Sequence, residues 1–271
     1  MSFHPIKLAA YNPGPMTGPG NNTYLLVEPG GNAALIDAGV GEPRHLAAIS
    51  RHLDERGARL GRVLVTHGHA DHASGAPALA AAHSGASFHK YPWPEEDVRY
   101  SVTWSPLADG DSLPAGGESL LALHTAGHSP DHVVFWHEGS RTAFTGDLVI
   151  PGGSVMIDWS RGGDLGSYLV ALERLLALRP RMLLPAHGPE VADPASVLTE
   201  HLEHRRLRER QVIASVAAGR DTVQAIVESI YDGLDAALEP AARQNVLAHL
   251  EKLKREGRAI EENARWTLLR P

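Results

Sequence analysis

The chain has 271 residues, of which 43% are hydrophobic, a formal net charge of −7 and no cysteine. The lack of cysteine excludes disulfides and thiolate metal ligands, and the acidic balance disfavours a general polyanion-binding surface. No apolar run approaches the roughly eighteen residues that span a bilayer, and residues 1–5 show neither a charged leader nor a signal-like apolar core. We therefore expect a cytoplasmic protein with no membrane partner.

The first part of the chain alternates short apolar runs with helical patterns. A Pro/Gly-rich loop at 12–20 precedes a strand at 22–27, and we expect this loop to border the functional site. Helices are predicted at 44–56, 77–83 and 164–178. This alternation predicts an α/β (α+β) fold in which helices cover a sandwich of two mixed sheets.

Potential metal ligands are concentrated after the predicted strand 62–66. They form the block His67-Gly68-His69-Ala70-Asp71-His72. Imidazole nitrogens and carboxylates are the ligand set of zinc and related ions. Three His and one Asp within six positions exceed what one cation needs, so the block indicates two ions.

Three later strands also end beside a potential ligand. The apolar runs are 120–125, 141–145 and 181–185, and they lead to His128, Asp147 and His187, respectively. Because strand ends can meet at one edge of a fold, we expect these side chains to join the first block. His187 is the weakest member of the set, since a His before Gly-Pro is also compatible with a simple turn.

The chain has sixteen His, and most of them fit an ordinary surface or packing role. We assign no metal to the isolated ones, which include His4, His45, His52, His83, His89, His201, His204 and His249. His124 and His132 lie close enough to His128 to orient a ligand. Their places on or beside strands favour packing or exposure, so we leave them and His137 out of the site.

The pattern becomes helical after residue 193. Helices are predicted at 197–218, 222–231 and 239–256, followed by a strand, turn and strand at 258–269. We therefore divide the chain into a catalytic domain at 1–193 and a winged-helix-like module at 194–271.

The net charge of this module bears on whether it binds nucleic acid or instead walls the active site or forms a dimer. Residues 191–271 contain two Lys and ten Arg against four Asp and nine Glu, a net charge of −1. A domain that binds phosphates by counterion release should be visibly basic. We therefore expect no DNA partner and favour active-site walling or dimerisation, and a homodimer through the tail stays an open alternative.

The block HGHADH at 67–72, followed along the chain by His128, Asp147 and His187, resembles the motifs of the metallo-beta-lactamase superfamily. The resemblance covers roughly residues 20–190. The resemblance implies a four-layer αββα sandwich in which one ion binds His67, His69 and His128, a second binds Asp71, His72 and His187, and Asp147 bridges them. It implies two zinc ions per chain, with manganese or iron as alternatives. Metals lower the pKa of water from about 15.7 towards about 7, so a bridging hydroxide is the expected nucleophile. Asp71 and Asp147 are the catalytic candidates.

Three parts of the chain, residues 16–25, residues 126–132 and the C-terminal helices, together resemble the beta-lactamase-like protein 2 group and its bacterial relatives. That resemblance implies a hydrolase acting on an ester-like bond, either a phosphodiester of single-stranded RNA or a small ester or thioester. Two other functions stay open. One is a mononuclear-iron oxidoreductase resembling persulfide dioxygenases, with His67 or His69, His128 and Asp147 as ligands. The other is a non-catalytic metal-binding protein.

Overall fold

The computed structural model describes residues 3–15 and 17–269. Met1, Ser2 and Met16 lie outside the described residues. The first two belong to the segment 1–5, from which the cytoplasmic location was predicted, and Met16 belongs to the predicted Pro/Gly-rich loop. No helix within the described ranges combines the length and hydropathy needed to cross a membrane.

Two mixed sheets face each other. The first has the order β1 (Ile6–Ala9), β2 (Asn22–Val27), β3 (Asn32–Ile36), β4 (Arg59–Leu64), β5 (Ser87–Lys90) and β6 (Trp104–Pro106). The second contains β7 (Ser112–Ala115), β8 (Glu118–His124), β9 (Val133–His137), β10 (Thr142–Gly146) and β11 (Met182–Pro185), in the spatial order β11-β10-β9-β8-β7. In the first sheet β3 to β6 run parallel, and in the second only β10 and β11 do.

Side-chain alternation along the strands explains the layers. In β9, Val133 and Phe135 point into the core between the sheets, whereas Val134 and Trp136 point to the outer core. Because successive residues of a strand face opposite sides, an all-apolar strand needs cover on both sides. The predicted αββα sandwich is confirmed, since helices provide that cover on each outer face.

The described residues form eight α-helices, four of which begin at a capping side chain, Glu42, Asp164, Asp193 or Thr222. They are α1 (Pro43–Asp54), α2 (Ala70–Ala73), α3 (Ala76–Ala82), α4 (Pro94–Asp97), α5 (Leu165–Ala177), α6 (Pro194–Ala217), α7 (Val223–Ile230) and α8 (Glu239–Arg255). Short 3-10 helices lie at Trp159–Arg161 and Ala236–Leu238. Helix α6 begins three residues before its predicted start because Asp193 accepts a hydrogen bond from the Ser196 amide and Pro194 occupies the first turn.

The C-terminal module is built from α6, α7, α8 and the hairpin β12 (Ala259–Glu262) and β13 (Arg265–Leu268), around its own apolar core. Helix α6 belongs to two cores, because Leu198 and Leu202 pack on the sandwich and Val212 and Val216 pack within the module. The proposed division at 193/194 therefore coincides with the start of a helix that both units share, and it stays a prediction.

Candidate metal centre

The predicted ligands meet at one edge of the sandwich, beyond the carboxyl ends of four strands. His67 and His69 follow β4, and the short helix α2 begins directly after His69 and carries Asp71 and His72. The other three predicted ligands, His128, Asp147 and His187, follow β8, β10 and β11, respectively. All seven predicted residues therefore belong to one cluster.

One group in this cluster consists of His67, His69 and His128. His69 Nδ1 lies 2.9 Å from His67 Nε2 and 2.9 Å from His128 Nε2. The ligand atoms of the three rings lie within 4.8 Å of one another. Ligands held at about 2.0–2.1 Å around a tetrahedral cation are about 3.3 Å apart, so the rings are placed as a cation would require.

The second group consists of Asp71, His72 and His187. Asp71 Oδ2 lies 3.4 Å from Nε2 of both imidazoles. Asp147 lies between the groups, since its Oδ1 is 3.2 Å from His187 Nε2 and its Oδ2 is 3.5 Å from His128 Nε2. One oxygen of this carboxylate therefore faces each group.

Hydrogen bonds fix which nitrogens are free to bind a metal. His128 Nδ1 donates to the backbone carbonyl of Met156 at 2.8 Å, and His72 Nδ1 lies 2.8 Å from Asp37 Oδ2. Burial opposes protonation of His72, but the carboxylates of Asp71, Asp147 and Asp37 outweigh it and raise the pKa of His72 well above its ordinary value, so a metal would have to displace one proton from that ring. Because an imidazole nitrogen that donates carries the proton, the opposite Nε2 of each ring in its neutral form presents a lone pair to the centre. This is the tautomer that metal binding requires.

The contacts inside the cluster fit a cation. A single ring nitrogen cannot be donor and acceptor at once, yet His69 Nδ1 is equally close to His67 Nε2 and His128 Nε2. Asp147 Oδ1 is buried and makes no well-formed hydrogen bond. Closely spaced ring nitrogens and a buried carboxylate oxygen that lacks a hydrogen bond are costly alone, and a divalent cation would stabilise both.

Electrostatics shift the histidine pKa values of the two groups in opposite directions. Burial and the neighbouring imidazoles lower the pKa of His69 to about 3 and hold that of His67 well below its ordinary value. Both rings are therefore neutral near pH 7, as metal ligands must be. Burial also opposes protonation of His187, but Asp147 and Asp71 outweigh it and raise that pKa to about 9. The two carboxylates thus create a potential that favours positive charge.

Asp147 is positioned by a histidine that the sequence interpretation left out. Nε2 of the fully buried His132 accepts the Asp147 backbone N–H at 3.1 Å, and its Nδ1 lies 2.8 Å from Thr125 Oγ1. The preceding Gly146 has φ +47°, and a Cβ there would lie 2.8 Å from His132 Nε2. Glycine is therefore required for the turn that presents Asp147.

Two further residues contact side chains of the second group. Asp37 receives hydrogen bonds from both the backbone and the hydroxyl of Thr66, in addition to its contact with His72. Asn21, which is 1% exposed, donates to Asp71 Oδ2 at 3.0 Å. Asp37 was detectable, because it follows the apolar strand β3 just as the ligands follow theirs. Asn21 carried no such signal.

A buried ion pair supports the first ligand loop. Asp131 Oδ2 accepts from the Gly68 backbone N–H at 2.7 Å and from Lys90 Nζ at 2.6 Å, and both charged side chains are fully buried. The Tyr100 hydroxyl donates to the Gly68 carbonyl at 2.7 Å. The backbone between His67 and His69 is therefore held on both sides.

The geometry and fold agree with a family match. Residues 17–187 match the Metallo-beta-lactamase superfamily, and residues 222–266 match the beta-lactamase associated winged helix domain. The chain belongs to the metallo-beta-lactamase superfamily, whose fold implies divalent metal binding and whose members are mostly hydrolases.

Individual proteins show more specific similarities to this chain. A beta-lactamase-like protein 2 homolog from Drosophila melanogaster is 30% identical over 93% of this chain and 88% of its own length, which confirms the predicted resemblance. A beta-lactamase domain protein from Burkholderia ambifaria shares the fold with a TM-score of 0.80, at 22% identity over 98% of this chain and 91% of that one. A third protein, solved in a di-iron-bound form, is 28% identical over 71% of this chain and 96% of its own, with a TM-score of 0.56.

Proposed function

We propose that the chain is a dinuclear, zinc-dependent hydrolase that cleaves an ester-like bond. The observation that carries this proposal is the place of Asp147, whose two carboxylate oxygens face different ligand groups. His67, His69 and His128 would hold one ion, and Asp71, His72 and His187 the other. A mononuclear iron centre would leave the second group without a role.

Bound zinc would supply a hydroxide nucleophile at neutral pH and would polarise the electrophilic oxygen of the substrate. The side chains of the site would orient this nucleophile. Burial raises the pKa of the Asp71 carboxyl, but the adjacent His72 and His187 outweigh burial and hold that pKa well below its usual range. Asp71 is thus a hydrogen-bond acceptor at all working pH values, suited to orient the proton of the nucleophile.

The exposure of the ligands favours catalysis over a structural role. His67, His72, Asp147 and His187 are buried, whereas His69, Asp71 and His128 are partly exposed. The cluster is therefore open along one side, and an open coordination position distinguishes catalytic metal sites from closed structural ones.

The substrate proposal keeps two chemical classes, a small ester or thioester and the phosphodiester of single-stranded RNA. The net charge of −7 gives a polyanion an unfavourable long-range field, which supports the neutral or singly charged ester. DNA and membranes are not proposed as partners. A cytoplasmic location, a homodimer and the division into residues 1–193 and 194–271 stay predictions.

Activity of zinc-loaded protein against a panel of substrates tests the function. The panel contains an acyl thioester, a lactone, a beta-lactam, bis(p-nitrophenyl)phosphate and a short single-stranded RNA. We expect turnover of at least one member by the wild type and none by Asp147→Asn, with the same circular dichroism spectrum. Metal analysis that gave one iron per chain, together with oxygen consumption, would favour the oxidoreductase instead. Iron itself is compatible with the fold, as the di-iron relative indicates.

A further inference from the structure

The segment 148–156 connects the two halves of the candidate metal centre. It begins directly after Asp147 and ends at Met156, whose carbonyl accepts the hydrogen bond from His128 Nδ1. Among the described residues, one backbone hydrogen bond joins two residues of the segment, from the Gly153 N–H to the Ile150 carbonyl, and the Leu148 N–H donates to the Thr145 carbonyl just before it. The segment must therefore be held in place by other parts of the chain.

Helix α6 provides two of these contacts. His201 Nε2 accepts from the backbone N–H of Ile150 at 3.4 Å. One turn further along, Arg205 Nη2 donates to the carbonyl of Val155, the residue before Met156. Residues near both ends of the segment are thus bound to helix α6. This helix begins at Pro194, directly after the predicted catalytic domain 1–193.

Arg205 is an unusual choice for a simple packing position. Its side chain is buried, with 3% exposure, and no carboxylate among the described residues forms an ion pair with it. It donates to Asn245 Oδ1 at 2.8 Å and lies 5.4 Å from the centre of the Tyr168 ring, whose hydroxyl donates to the Leu148 carbonyl at 3.0 Å. A buried charge without a counter-ion is costly, and the hydrogen bonds to neutral groups offset only part of that cost.

We propose that Arg205 is a positioning residue for the metal centre. It fixes the backbone at Val155, and thereby the Met156 carbonyl that orients the His128 ring. The C-terminal module is then a structural part of the metal site, because the residues that hold the segment 148–156 lie on its first helix. This inference rests on the proposed assignment of His128 as a metal ligand.

The test compares the Zn²⁺ affinity of Arg205→Met and Arg205→Lys with that of Arg206→Met. Arg206 is adjacent on the same helix, and its side chain is 55% exposed and pairs with Glu173, so it controls for loss of an arginine. Affinity is measured by competition with a fluorescent chelator, and urea unfolding of the metal-free proteins is measured in parallel. Loss of a group that orients a metal ligand lowers affinity about 10- to 100-fold.

We expect Arg205→Met to bind Zn²⁺ at least 10-fold more weakly than Arg206→Met, and Arg205→Lys to lie between them. Equal affinities in folded Arg205→Met and Arg206→Met would overturn the inference, even if Arg205→Met were less stable. If Arg205→Met does not fold, Arg205→Lys decides by the same comparison. A wild type that binds Zn²⁺ but cleaves nothing would overturn the proposed function alone, whereas a wild type that binds no metal would overturn both.

Discussion

Replacing His249 by leucine should remove a specific part of the acid sensitivity of the protein. His249 lies in α8 and is 1% exposed, and neither ring nitrogen has a hydrogen-bond partner among the described residues. Burial, together with the positive charges of Arg205 and Lys252, lowers its pKa from 6.5 to about 3. Leucine has a similar volume and no ring nitrogens, so the core should accept it.

The sign of the effect follows from the direction of this shift. The folded state binds the proton more weakly than the unfolded state, so the titration of His249 costs no stability well above pH 6.5 and destabilises the fold as the pH falls from 6.5 towards 3. With these two pKa values the loss at pH 5 is about 2 kcal/mol relative to pH 7. Other buried histidines contribute equally to both proteins and cancel in the comparison.

The assay is urea unfolding of wild type and His249→Leu at pH 7 and pH 5, with the metal-free proteins. We expect wild type to lose about 2 kcal/mol more than the variant over this range. Gln244→Leu is the matched control, because it removes an unpartnered buried polar atom from the same helix without removing a titratable group. Identical pH dependence in wild type and His249→Leu would refute the reasoning.

Three further substitutions test the support of the site. Asn21→Leu removes the hydrogen-bond donor to Asp71. Because hydrogen bonds to charged groups contribute about 1.5–3 kcal/mol, the Zn²⁺ affinity should fall about 10-fold or more. Unchanged affinity in a chelator competition would contradict this. Lys90→Met leaves Asp131 buried without its cation and should cost about 3–5 kcal/mol in urea unfolding; a loss under 1 kcal/mol would mean that the pair is dispensable. Gly146→Ala places a Cβ at φ +47°, 2.8 Å from two side-chain atoms. The melting temperature and the metal content of this variant should therefore both drop. Wild-type values for both would show that the turn tolerates a side chain.

Much of the site was predictable because each ligand follows an apolar strand. A buried run that stops at a small residue marks a strand end, and the ligand just beyond it reaches the shared edge of the sandwich. The seven predicted residues come together for this reason. Their roles as metal ligands stay a proposal, but their convergence around Asp147 is what the proposal needs.

The supporting residues could not be predicted, because their contacts join distant parts of the chain. Asn21 touches Asp71 from 50 positions away, and Arg205 reaches Val155 over the same separation. Neither position shows a periodic or motif signal of its own. A single sequence displays local pattern, whereas hydrogen bonds between loops depend on the completed fold.

Element ends were predicted less well than element types, and α6 shows why. The apolar pattern indicates a start at Val197, but the helix begins earlier, at Pro194, since Asp193 caps it. The capping signal was present in the sequence and outweighs the hydrophobic spacing at helix termini. The predicted and observed helices both contain His201 and Arg205, which contact the segment 148–156.

Elemental analysis combined with anomalous scattering from crystals of the metal-replete protein tests the central claim most directly. The account predicts two divalent ions per chain. One would be bound by His67, His69 and His128, the other by Asp71, His72 and His187, with an oxygen of Asp147 on each. A single ion, no ion, or two ions that do not share Asp147 would contradict it.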